Sequence, residues 1–251
     1  MCMARYRLLA TLTLGVILMS KPAKGLITAE VDAAMGELRA RVAGRRPKGR
    51  YYLIVCEGTK TEPNYFDAFR SHLSGGEGDK VVVVGAQDNT LGLVERAKAE
   101  IAARNESDNP PFYHIWLVFD KDSFPDDDFD NTIVVTRQED EKFGMDGGIL
   151  RPHWHSAWSN EAFELWYLFH FQENTGGAIS REEYKDRLSK HLGFQYQKNA
   201  PNMFEILLPR MSVAIERAER AFRRWPDDEP FHGRNPATAV YELVRNLLMY
   251  I

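Results

Sequence analysis

The chain has 251 residues, 44% hydrophobic and 27% charged, which excludes a wholly disordered protein and allows one large domain or a mid-sized one with an appendage. Two cysteines, Cys2 and Cys56, exclude a disulfide framework, and no Cys/His spacing of a zinc site occurs. The net charge of −4 hides an asymmetry: residues 1–50 carry ten Lys/Arg against three Asp/Glu, and the rest 22 against 33. An acidic body argues against broad electrostatic binding of nucleic acid, but a basic arm beside it keeps local contact open.

Arg5 and Arg7 precede an apolar stretch from Leu8 to Met19. It is shorter than the roughly 20 residues of a membrane helix, so no membrane partner is expected. It resembles a signal-peptide core, but Lys21, Pro22 and Lys24 crowd any cleavage site. The alternative is a plain extension, and residues 1–48 are read as lying outside the main fold of a cytoplasmic protein. Arg41, Arg45, Arg46, Lys48 and Arg50, set among Gly44, Pro47 and Gly49, make a basic linker. It serves either as a solvated tether or as a phosphate-contacting arm.

An alternating series follows. Tyr51–Cys56 is an apolar run of strand length, with Cys56 expected to be a buried thiol. Pro63–Leu73 predicts a helix, since Pro63 suits a first turn and Phe66, Phe69 and Leu73 recur at helical spacing. Val81–Val84 is a second strand. Thr90 suits an N-cap for a helix to Arg104, with Leu91, Val94, Ala97 and Ile101 on one face. His114–Phe119 is a third strand, Asp127–Phe143 a helix stopped by Gly144, and Ile149–Trp158 contains a fourth strand that Pro152 interrupts. This order implies an α/β fold, a parallel sheet with helices on both faces. Helices are predicted over Asn160–Phe171, with Asn160 as N-cap, then Ser180–Leu192, Met203–Trp225 and Pro236–Met249. The chain thus divides into an extension (1–48), an α/β domain (49–172) and a helical C-terminal region packed on it (173–251).

Acidic residues sit where such sheets bind ligands, at the carboxyl ends of strands. Strand one runs into Glu57-Gly58, and strand three into Asp120-Lys121-Asp122. If the strands are neighbours, three carboxylates share one crevice. They must then be protonated, paired with cations or metal-bound. Hard oxygen donors suit Mg²⁺ or Mn²⁺, and Glu57 could complete the site or act as general acid or base on a phosphoester. A lone Asp-x-Asp is commonly a solvated loop, and Asp126, Asp127 and Asp128 make this stretch acidic in any case. The matching Glu57 tips the reading toward metal.

The pairing resembles the Toprim domain of topoisomerases, primases and overcoming-lysogenization-defect nucleases. More specifically, the chain is similar to the RloB family, linked to phage defence by abortive infection. The resemblance spans about residues 50–248, through Leu53-Ile-Val-Cys-Glu-Gly-Thr-Lys-Thr-Glu-Pro-Asn-Tyr-Phe66, Val118-Phe-Asp-Lys-Asp122, Ser159-Asn-Glu-Ala-Phe-Glu-Leu-Trp166, His170-Phe171 and Asn235-Pro-Ala-Thr238. It implies Glu57 as acid/base or metal ligand, Asp120 and Asp122 as ligands, and Glu62 as a carboxylate for a second metal. Lys60 would contact phosphate. Glu164 is either a further ligand or a first-turn residue favoured by the helix dipole. His170 is read as a packing histidine. Family members have a short basic N-terminus, where this chain has an apolar one.

The implied activity is Mg²⁺- or Mn²⁺-dependent hydrolysis of DNA or RNA. The rival is a non-catalytic Toprim-type module that binds nucleic acid or partner proteins of a defence locus. A phosphoryl transferase is disfavoured, because Gly75-Gly-Glu-Gly78 lacks a P-loop ending. Arg217, Arg220 and Arg224 line one helix stripe, diluted by Glu216 and Glu219 and read as a solvated face.

Overall fold

The computed structural model describes residues 30–31, 33–37, 50–73, 76–86, 90–122, 125–173, 177–200 and 202–249. The apolar segment Leu8–Met19 and the basic residues 41–48 lie outside them. Five strands form the main sheet in the order β2-β1-β3-β6-β7. They are β1 (Tyr51–Cys56), β2 (Val81–Gly85), β3 (Phe112–Asp120), β6 (His153–Asn160) and β7 (Ala237–Thr238). The first four are parallel, and β7 pairs antiparallel with β6 through Ser159–Thr238 and Asn160–Ala237. The expected all-parallel sheet is therefore mixed at this edge. Two-residue β7 carries no periodic signal; Thr238 Oγ1 anchors it by donating to the Trp158 carbonyl at 3.0 Å.

Strand alternation sorts side chains onto two faces. Tyr52, Ile54, Cys56, Trp116 and Val118 point to one, and Leu53, Val55, Ile115, Leu117 and Phe119 to the other. The second face is covered by α2 (Thr90–Asn105) through Leu93, Val94 and Ala97, and by α3 (Asp126–Asp140) through Phe129 and Ile133. The first face carries α1 (Thr61–Ser71), with Tyr65, Phe66 and Phe69. It also carries the C-terminal helices α4 (Glu164–Phe169), α5 (Arg181–Leu192), α6 (Met203–Leu207), α7 (Met211–Phe222) and α8 (Val240–Met249). One continuous core thus joins the sheet to the helical region. Val31 and Met35, from the segment expected outside the fold, are buried in it too.

Several predicted boundaries shift. The helix expected over Pro236–Met249 begins only at Val240, because Ala237–Thr238 pairs with β6 as β7. The helix expected over Met203–Trp225 breaks into α6, a 3₁₀ turn at Leu208–Arg210 and α7, because Pro209 lacks the N–H to continue the ladder. Ile149–Trp158 divides at Pro152: β5 (Ile149–Arg151) pairs with β4 (Gly144–Asp146) as a separate hairpin, and β6 begins at His153. Asn160 is not a helix cap. It ends β6 in the pairing with β7, and its Nδ2 donates to the His232 carbonyl at 2.6 Å.

Candidate metal centre

The sheet order creates the crevice. β1 leads into α1 on one face, while its neighbour β3 leads into α3 on the other. Diverging connections leave a gap at the carboxyl ends of β1 and β3. A cleft of about 410 Å³ sits there, lined by Glu57, Gly58, Glu62, Asp120, Asp122, Arg181 and Lys198.

Glu57 follows β1 directly, and its backbone N–H extends the ladder by donating to the Val118 carbonyl at 2.9 Å. Its Oε2 accepts from the Asp120 backbone N–H at 3.1 Å. Asp120 closes β3 on the face of the C-terminal helices and is 7% exposed. Its Oδ1 is buried without a hydrogen-bond partner. Beyond it, the Lys121 and Asp122 amides donate to the carbonyls of Ser159 and Glu161 at 2.9 and 3.0 Å. Asp122 adopts a left-handed φ of 38°, a conformation that Asp tolerates better than most residues. Glu62 reaches the cleft from the first turn of α1 and is also buried. Gly58 makes room for it, since a Cβ there would strike Glu62 Oε2. Gly85 lets the same loop lie across β2, where a Cβ would sit 2.9 Å from the Gly58 carbonyl oxygen.

These carboxylates resist ionisation. Burial pushes Glu57 up to about 7, aided by the charges of Glu62 and Asp122 and opposed by the Asp120 amide and Arg181. Asp120 is raised well above the carboxylate range, first by burial and then by Glu62, Glu57 and Glu164. Glu62 is raised by burial and by Glu164, against the pull of Lys198 and Arg181.

Two cations face the acids, and sequence reasoning found neither. Arg181 opens α5, whose start is fixed by a capping box between Ser180 and Glu183. Its Nη1 lies 2.8 Å from Asp122 Oδ2 and its Nη2 4.0 Å from Asp120 Oδ2. Lys198 rides on the loop after α5. That loop is pinned on either side of it: the Tyr196 hydroxyl donates to Glu164 Oε1 at 3.1 Å, and the Thr61 hydroxyl donates to Asn199 Oδ1 at 3.1 Å. The available sequence signal was Ser-Arg-Glu-Glu at residues 180–183, a capping box with a cation in a first turn that favours acids.

The remaining predicted residues lie elsewhere. Lys60 is exposed at the N-cap of α1 and does not line the cleft. Glu164 is buried in the first turn of α4 and held by Tyr196; it does not line the cleft, yet its charge helps raise Asp120 and Glu62. His170 is a core residue: its Nδ1 bonds the Trp166 carbonyl at 2.9 Å, and burial drives it down to about 3. Asp126, Asp127 and Asp128 occupy the first turn of α3, where acids favour the helix dipole. Arg220 and Arg224 pair with Glu173.

The donor set fits a hard divalent cation. All donors are carboxylate oxygens. The orphaned Asp120 Oδ1 carries a desolvation cost of about 1–3 kcal/mol or more, which a cation would offset. Among the described residues, no three such side chains already surround one ion position. A loaded site would thus need water ligands, which Mg²⁺ readily keeps, or side-chain movement.

A model of the RloB-like protein family matches residues 52–247. The chain belongs to that family. Comparisons with curated proteins and with solved structures returned no match. The RloB-like match runs from β1 into α8, so it takes in every residue of the cleft. Among the described residues, no helix is long and apolar enough to cross a membrane.

Proposed function

We propose that this chain is a Mg²⁺- or Mn²⁺-dependent phosphodiesterase acting on DNA or RNA. The observation that carries the proposal is the meeting of Glu57 with Asp120 at the carboxyl ends of β1 and β3, with Asp120 Oδ1 unpartnered beside them. Asp120, Asp122 and Glu62 would hold the cation with Glu57, and Arg181 and Lys198 give the same cleft an anion-binding wall. A bound cation supplies Lewis acidity and an activated water. In the metal-free cleft Glu57 is pushed up to about 7 by burial; beside a bound cation it would give up that proton and serve as a ligand or as a base toward the attacking water. Lys198 and Arg181 orient the phosphate, the second through a planar fork that matches two phosphate oxygens. Membership of the RloB-like family supports placing the reaction in bacterial phage defence by abortive infection, in the cytoplasm and alongside partner proteins of a defence locus.

A second reading has its own observation. Arg181 already compensates the aspartate pair, as in a Toprim-type module that binds nucleic acid or protein without turnover. Incubation with single- and double-stranded DNA and RNA under Mg²⁺ or Mn²⁺ separates the two. Cleavage that Glu57→Gln and Asp120→Asn abolish supports the phosphodiesterase. Binding without cleavage under either cation, surviving Asp120→Asn, supports the module.

A further inference from the structure

Arg181 is oddly placed for a structural residue. It stands in the first turn of α5, where a positive charge opposes the helix dipole, while Glu182 and Glu183 beside it are the acids that such a turn favours. Its guanidinium reaches across to Asp122 at 2.8 Å and lies 4.0 Å from Asp120, the position a cation shared by the two aspartates would take. The fit is incomplete on both sides. Asp120, 7% exposed, keeps Oδ1 without a partner, and Arg181 keeps a buried Nε without one. An arginine fork that spends Nη1 on a carboxylate and leaves a buried Nε bare holds unspent donors, which a second oxyanion takes only if the guanidinium turns out of its present seat.

We propose that Arg181 is an exchangeable internal cation: it holds the aspartate pair in the phosphate-free protein, and a phosphodiester draws it away as the divalent ion takes its place. The inference rests on the metal reading above and adds its order of events. Metal and substrate load cooperatively, so the centre holds free Mg²⁺ only weakly until a nucleic-acid phosphate arrives. The exchange leaves no charge bare: a doubly charged ion replaces the singly charged guanidinium at the aspartates, and the single negative charge of the phosphodiester meets the guanidinium it draws away. Arg181 is on this account a positioning residue for the centre and a ligand for the phosphate.

The test is Mn²⁺ binding followed by electron paramagnetic resonance, with and without dimethyl phosphate, on the wild type, Arg181→Gln and Arg181→Lys. Circular dichroism melts confirm that each variant is folded. The wild type should bind Mn²⁺ weakly alone and at least about tenfold more tightly with dimethyl phosphate. Arg181→Gln should bind Mn²⁺ about tenfold more tightly than the wild type without phosphate and gain little from adding it. Arg181→Lys, which keeps the charge and loses the fork, should gain less from phosphate than the wild type. If Arg181→Gln matches the wild type in Mn²⁺ affinity and in phosphate response, the exchange is wrong while the metal centre stands. If no protein binds Mn²⁺ in any condition, the metal reading falls and the inference with it.

Discussion

The Asp120 backbone N–H donates to Glu57 Oε2 across 3.1 Å, joining residues 63 positions apart in the chain. Each follows from a simple rule. An apolar strand ends, the chain turns into a connection, and the first polar side chain lands at the rim. Because β1 and β3 are adjacent and parallel, the two rims coincide. Burial and the opposing carboxylates, held in check by the Asp120 amide and Arg181, push Glu57 up to about 7.

The raised pKa of Glu57 gives a stability prediction. A carboxyl that titrates near 7 when folded and near 4.5 when unfolded binds more protons in the folded state between those values. Its contribution is therefore full below about 4.5 and is lost as pH rises toward about 7. Glu57→Gln cannot ionise, so in EDTA its Tm relative to wild type should climb between about pH 5 and pH 8. A difference independent of pH would mean that Glu57 ionises normally. Saturating Mn²⁺ should stabilise the wild type most at the upper end of that window, where its carboxylates are charged.

A side chain at Gly58 is predicted to displace the Glu62 carboxylate into the cleft. Gly58→Ala should therefore cost only about 1 kcal/mol in denaturant unfolding, the low end of an overpacking penalty. Much of that cost should vanish in the background of Glu62→Ala, which removes the atom the new Cβ strikes. Additive penalties would show that backbone strain, not the carboxylate, sets the requirement.

Tyr196→Phe should destabilise by about 1–3 kcal/mol, because Glu164 Oε1 loses a buried donor. It should also loosen the loop carrying Lys198 and weaken phosphodiester binding. Equal weakening by Tyr196→Phe and Lys198→Ala, with no further loss in the double variant, would assign the effect to that loop. Unchanged affinity in Tyr196→Phe would show that the loop does not depend on this bond.

The sequence exposes one half of the cleft and conceals the other, for a physical reason. β1, β2 and β3 announce themselves as short apolar runs, and Glu57 and Asp120 are the polar residues that end two of them. Periodicity therefore locates both elements and acids. Arg181 and Lys198 carry no such mark. Each reaches the cleft only because α5 and its following loop fold back over the sheet, and that placement depends on contacts such as Tyr196 to Glu164 and Thr61 to Asn199. Lys60 shows the converse: closeness in sequence to Glu57 and Glu62 suggested a shared site, yet the start of α1 turns it outward. Asn160 had cap chemistry, but β6 needed it as a strand end once β7 paired alongside.

Crystals of the full chain soaked in Mn²⁺ with dimethyl phosphate, measured at the manganese absorption edge, test the central claim most directly. The account predicts an anomalous peak within coordination distance, about 2.0–2.3 Å, of Asp120 oxygens and close to Glu57, directly or through water. No peak in the cleft at saturating Mn²⁺, or one bound only by acids elsewhere, would contradict it.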